Sequence, residues 1–155
     1  MVKEAEILVE ALKNKGLKIC TAESCTGGLI SGAITDVAGA SAVFDGGLCA
    51  YANRIKTALL GVPEKTLGTV GAVSAATAAA MARGARALFD ADISVAVTGI
   101  AGPDGGTAEK PVGTVYIAAA TAEGVLVRRY NFSGNRENVR AKTVRAALRL
   151  ALMCV

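Results

Sequence analysis

The stretch Thr21-Ala-Glu-Ser-Cys-Thr-Gly-Gly28 sets two hydroxyls and a thiol side by side between an apolar run, Gly16-Leu-Lys-Ile-Cys20, and a helical pattern, Leu29-Ile-Ser-Gly-Ala-Ile34. A strand-to-helix turn is where α/β proteins display nucleophiles, because the helix behind it begins with free N–H groups. Ser24 and Cys25 compete for that role. The backbone N–H groups of Cys25, Thr26, Gly27 and Gly28 are candidates for an oxyanion hole or a phosphate cradle. The chain contains no histidine, so the usual base for such a nucleophile is missing. Lysine, tyrosine, a carboxylate or the helix field must do that work.

Lys56 is a candidate base. With Asn53 as N-cap of a helix running to Gly61, Lys56 falls in the first turn at the third helical position. A cation there faces the positive end of the helix dipole. That field, together with burial, would lower its pKa from about 10.4 toward a useful range. Tyr51, just ahead of the cap, is placed to relay or position the proton. A solvated surface lysine is the plainer alternative. A second region, Thr98-Gly-Ile-Ala-Gly-Pro-Asp-Gly-Gly-Thr-Ala-Glu-Lys-Pro111, follows no periodicity. A structureless loop of that length between two strands is more often functional than not, and its glycines let backbone approach a ligand.

The elements that must hold these residues can be read from apolar spacing. Glu4–Lys15 is helical and stops at Gly16, and Leu17–Ala22 is a strand. Thr26–Thr35 is a short helix with Thr26 as possible cap. Val43–Tyr51, with Gly46-Gly47, reads as a strand with a bulge. Another helical turn is expected over Pro63–Leu67, and Ser74 starts an alanine-rich helix to about Phe89. Strands follow over Asp92–Val97, Val112–Ala120 and Val125–Phe132, the last two joined at Glu123-Gly124. Glu137–Leu150 closes the chain as a helix with Val139, Val144, Leu148 and Ala151 inward. That order predicts an α/β fold, a three-layer α/β/α sandwich with a mixed sheet, in one domain over residues 1–155.

Composition narrows the function classes. The chain of 155 residues carries a net charge of +4, rich in alanine and glycine and without tryptophan. Basic residues gather between Arg128 and Arg149 but are not interleaved with aromatics, which argues against nucleic acid. No apolar run reaches the ~18 residues needed to span a membrane, and the N-terminus has no signal-peptide core. Cys20, Cys25, Cys49 and Cys154 show no CxxC pairing. They read as reduced thiols of a cytoplasmic protein, and without histidine they are poor zinc ligands. No metal is expected.

Four stretches together are similar to the C-terminal domain family of the competence-damage-inducible protein CinA. They are Thr21–Gly28, Gly46-Gly-Leu-Cys-Ala-Tyr-Ala-Asn-Arg-Ile-Lys-Thr-Ala-Leu-Leu-Gly-Val62, Gly71-Ala-Val-Ser74, and Thr98–Gly106 followed by Lys110-Pro-Val-Gly-Thr114. They occur in the family's order and cover essentially the whole chain. Stand-alone members of that family are nicotinamide-nucleotide (NMN) amidases, and the larger family protein has a further N-terminal domain. The resemblance implies a serine amidohydrolase with Ser24 as nucleophile, Lys56 as base and Tyr51 as third member, using no cofactor. It implies that Ser41, Thr98, Gly102 and an arginine, Arg136 or Arg140, line or support the substrate site. NMN is the implied partner, and a homo-oligomer is expected. The alternative is a non-catalytic nucleotide- or partner-binding module, with Thr26–Gly28 holding phosphate and Ser24 only capping. A third is a cysteine hydrolase using Cys25.

Overall fold

The computed structural model describes residues 2–155. Helix α1 (Val2–Lys15) ends where Gly16, at φ +66°, turns the chain back so that Leu17 N–H reaches the Leu12 carbonyl. This is a glycine C-cap at the expected position. Strand β1 (Ile19–Glu23) leads into α2 (Leu29–Thr35), and a 3₁₀ turn (Ala40–Ala42) precedes β2 (Phe44–Cys49). Three helices follow: α3 (Asn53–Leu60), α4 (Glu64–Thr69) and α5 (Ala75–Phe89). The chain finishes with β3 (Ile93–Gly99), the hairpin β4 (Thr114–Thr121) and β5 (Gly124–Asn131), and α6 (Arg136–Leu152).

The five strands form one mixed sheet in the order β2-β1-β3-β4-β5. β1 runs parallel to β2 and β3, while β3-β4 and β4-β5 are antiparallel. Alternation in β3 and β4 divides the core in two. Ile93, Val95, Val97, Val115, Ile117 and Ala119 face α1, α2 and α6. Ala96, Ala118 and Ala120 face α5, where Ala78, Met81, Ala82 and Ala85 are buried. Bulky branched side chains fill the first face and alanines the second, so α5 lies close to its sheet. The Ser94 hydroxyl donates to the Ala82 carbonyl at 2.6 Å, and a Cβ on Gly84 would collide with the Leu60 carbonyl of α3. The alanine-rich helix therefore packs within the fold. With helices on both faces, the sheet is the middle of a three-layer α/β/α sandwich.

Several local expectations shift. The helix after the nucleophile turn starts at Leu29 with Gly28 as its cap, at φ +100°, and Thr26 does not cap it. Helix α3 is capped by Ala52, with no side-chain bond, and Asn53 is its first helical residue. Lys56 is thus the fourth helical residue, and its backbone N–H already bonds the Ala52 carbonyl. The bulge in β2 falls where Cys20 pairs with Gly46 after Ile19 pairs with Phe44, skipping Asp45. Gly46 and Gly47 are small for packing, since a Cβ would meet the Phe89 ring or the Thr21 hydroxyl.

Candidate active site

Ser24 follows the last residue of β1, and its N–H donates to the Val97 carbonyl of β3 at 3.1 Å. It stands where the connections from neighbouring parallel strands diverge, the usual place for a ligand crevice in an open α/β sheet. A cleft of about 270 Å³ opens there, lined by residues that include Ser24, Tyr51, Lys56, Thr98, Gly102 and Arg136. Lys56 reaches Ser24 from α3. Its Nζ lies 3.1 Å from Ser24 Oγ and donates to the Tyr51 carbonyl at 2.8 Å. The lysine is 1% exposed. Burial pushes its ammonium below the ordinary lysine value, because a low-dielectric site disfavours the charged form. Desolvation is the main cause, where the sequence pointed also to the helix field.

Cys25 borders the same cleft but is also part of the core. Its side chain belongs to the core beneath α2 and α6, and burial pushes the thiol up to about 11. It stays protonated near neutral pH and is a poor nucleophile.

The turn between Ser24 and α2 is pinned from inside by Glu23, which is 0% exposed. Its carboxylate accepts from the Thr26 hydroxyl (2.6 Å) and from the N–H groups of Gly28 (3.0 Å), Ile30 (3.0 Å) and Ser31 (2.8 Å). The Ser31 hydroxyl adds a fifth bond at 2.9 Å. An internal anion thus fills the position at the start of α2 that a phosphate would need. Gly27 N–H is also taken, donating to the Ser24 carbonyl at 3.1 Å. Of the expected anion-binding amides, those of Gly27 and Gly28 are therefore unavailable. Those of Cys25 and Thr26 have no backbone acceptor among the described residues. Glu23 was not among the residues expected at the site. Its signal was a carboxylate directly after a run that reads as a buried strand, a placement rare without dedicated partners.

The remaining expected residues divide clearly. The Tyr51 ring is 62% exposed; what it offers Lys56 is its backbone carbonyl, while its hydroxyl accepts from Arg136 at 3.3 Å. Among the described residues its hydroxyl makes no hydrogen bond to Lys56 or Ser24. Arg136, the first residue of α6, also donates to the Gly102 carbonyl at 2.8 Å. Gly102, at φ +84°, could not carry a Cβ, which would come 2.5 Å from Val112. Thr98 forms part of the cleft wall, but its hydroxyl is committed to the Ala72 carbonyl at 2.8 Å. Arg140 does not line the cleft. It borders a separate groove between α2 and α6 and bonds the Cys25 and Thr26 carbonyls from behind. Ser41 is exposed on the 3₁₀ turn that precedes β2. Because β2 is parallel to β1, that turn lies at the opposite end of the sheet from Ser24, so Ser41 takes no part in this chain's cleft.

Among the described residues, no cluster of three metal-ligating side chains occurs and no helix is long and apolar enough to cross a membrane. The model of the CinA C-terminal domain matches residues 2–155. A CinA-like protein of Geobacter sulfurreducens is 57% identical over 136 residues, which is 88% of this chain and 33% of that relative. A putative competence-damage inducible protein of Acetivibrio thermocellus is 51% identical over 138 residues, 89% of this chain and 33% of the relative. The chain spans about a third of the length of these curated relatives. Among solved structures, competence/damage inducible protein CihA from Agrobacterium tumefaciens superposes with a TM-score of 0.96 at 47% identity, covering 98% of this chain and 93% of that one. A CinA superfamily protein from Escherichia coli gives 0.96 at 33% identity, covering 100% and 91%. With the sequence match running through both the nucleophile turn and the lysine helix, the chain belongs to the CinA C-terminal domain family.

Proposed function

We propose that this domain is a serine amidohydrolase that converts NMN and water to nicotinate mononucleotide and ammonia. The observation that carries the reading is the 3.1 Å contact between Ser24 Oγ and the amine of a buried lysine. A neutral Lys56 accepts the Ser24 proton while Oγ attacks the carboxamide carbon. Negative charge then develops on the carboxamide oxygen, within reach of the Cys25 and Thr26 N–H groups. The Lys56 ammonium gives its proton to the departing nitrogen, which leaves as ammonia. A water, activated by the same amine, cleaves the acyl-enzyme and releases the carboxylate product.

Substrate selection is ascribed to the mouth of the cleft. Among the described residues Arg136 has a carbonyl and a phenol as its hydrogen-bond partners there, so it can exchange the weaker one for an anionic group such as the 5′-phosphate. The binding-module alternative needs phosphate at Thr26–Gly28, where Glu23 and the Ser24 carbonyl already occupy the Gly28 and Gly27 amides.

The test is ammonia release from NMN by the purified chain. Ser24→Ala should lower kcat by on the order of 10⁴-fold or more without loss of the fold, whereas Cys25→Ala should stay active. Nicotinamide riboside, lacking the phosphate, should be a much poorer substrate. Tight NMN binding with no ammonia release would overturn the enzyme reading.

A further inference from the structure

The groove side of the nucleophile turn holds a charge that the reaction as described does not use. Arg140 Nε donates to the Cys25 carbonyl at 3.1 Å and its Nη2 to the Thr26 carbonyl at 3.0 Å. In a trans peptide the C=O and the following N–H lie in one plane and point in opposite directions. Holding the Cys25 carbonyl toward α6 therefore directs the Thr26 N–H away from α6. Thr26 is fully buried, and its N–H has no backbone or side-chain acceptor among the described residues. Buried backbone donors are nearly always paired; this one has no partner among the described residues, and Cys25, whose carbonyl belongs to the same peptide, lines the cleft. A guanidinium on the carbonyl also polarises the peptide and strengthens the N–H as a donor.

We propose that Arg140 is the positioning residue of the oxyanion site, holding the Cys25–Thr26 peptide so that its N–H is aimed at the oxygen that becomes negative. Glu23 completes the arrangement from the opposite side. It binds the amides of Gly28, Ile30 and Ser31 and leaves those of Cys25 and Thr26 for the reaction. Two charges of opposite sign, neither facing substrate, thus set which donors the turn offers. The arginine that lines the cleft, Arg136, has the separate task of binding.

The inference rests on the amidohydrolase reading of Ser24, and two measurements separate their fates. The first is kcat and KM for NMN in the wild type, Arg140→Ala and Arg140→Lys. The second is the rate at which an alkyl fluorophosphonate labels Ser24, a step in which Oγ bonds phosphorus, fluoride leaves and a phosphoryl oxygen occupies the oxyanion position. Arg140→Ala should lower kcat by on the order of 10²-fold with KM within about threefold. Labelling should slow at least about tenfold, and added methylguanidinium should restore part of both rates. Arg140→Lys serves if the alanine variant does not fold. It should also be impaired, because an ammonium on its flexible stem lacks the fixed fork that spans both carbonyls. A rise in KM with unchanged kcat and labelling would overturn the proposal, as would wild-type labelling rates in a folded variant. If the wild type is labelled but releases no ammonia from NMN, the amidase reading fails while the labelling rates still decide the role of Arg140. A wild type that is neither labelled nor releases ammonia overturns both, and in one that releases ammonia without being labelled the kcat of Arg140→Ala decides the role of Arg140.

Discussion

Two buried charges flank Ser24, and their surroundings are opposite in kind. On the α2 side, Glu23 has five donors shared between its two oxygens. On the cleft side, Lys56 has two partners, a backbone carbonyl and the hydroxyl it would activate. A buried charge is tolerated when its hydrogen-bonding capacity is filled and costs free energy when it is not. The saturated carboxylate is therefore a structural charge, holding the turn and the start of a seven-residue helix together. In the proposed reaction the under-partnered lysine is the chemical one, since burial disfavours its ammonium and so favours the neutral amine. On the proposed reading, rigidity on one side and an unmet need on the other make the nucleophile site.

The sharpest way to break this comparison is to exchange the consequences. Lys56→Met should lower kcat/KM for NMN by on the order of 10⁴-fold while the protein stays folded, checked by ammonia release and thermal melting. Glu23→Gln should show the reverse emphasis, losing about 3 kcal/mol of stability in urea unfolding, because an amide nitrogen would face donors now bonded to a carboxylate. If Glu23→Gln were as stable as wild type, the carboxylate would not be the structural charge described.

A gentler test uses pH. In the unfolded chain Lys56 keeps its proton to about pH 10.4; in the folded protein burial makes it give the proton up earlier. Between those values unfolding takes up a proton, so wild-type stability should rise with pH relative to Lys56→Met. The slope is at most about 1.4 kcal/mol per pH unit, and below the depressed value the difference should be flat. The kcat/KM profile should climb through the same depressed value. A stability difference that is flat up to pH 10 would mean an ordinary lysine. The smallest effect is expected at Tyr51→Phe. Lys56 uses the backbone carbonyl, which the substitution leaves in place, so kcat should fall by less than about fivefold, the worth of one exposed hydrogen bond. A loss approaching that of Lys56→Met would restore the phenol to the proton path.

Much of this molecule follows from sequence alone. The alternation in β3 and β4, the glycine stops at Gly16 and Gly61, and the Ser74 cap, which accepts from Thr77 N–H at 3.2 Å, are local properties. They specify their elements without reference to the rest of the chain. The nucleophile turn and the lysine helix were also legible, because each depends on a short motif. What could not be read was which side of each motif faces what. Ser24 and Cys25 are neighbours and both border the cleft, yet the Ser24 hydroxyl meets Lys56 there while Cys25 is counted into the core under α2 and α6. Arg136 and Arg140 lie one helical turn apart, yet one borders the cleft and the other holds the turn from behind. Ser41 is near β2 in sequence but lies at the far end of the sheet from Ser24. Residue type and spacing determine local conformation and the chemistry a side chain can perform. Only the tertiary packing determines exposure, and with it the partners that tell a buried anion's structural bonds from a buried amine's unmet ones.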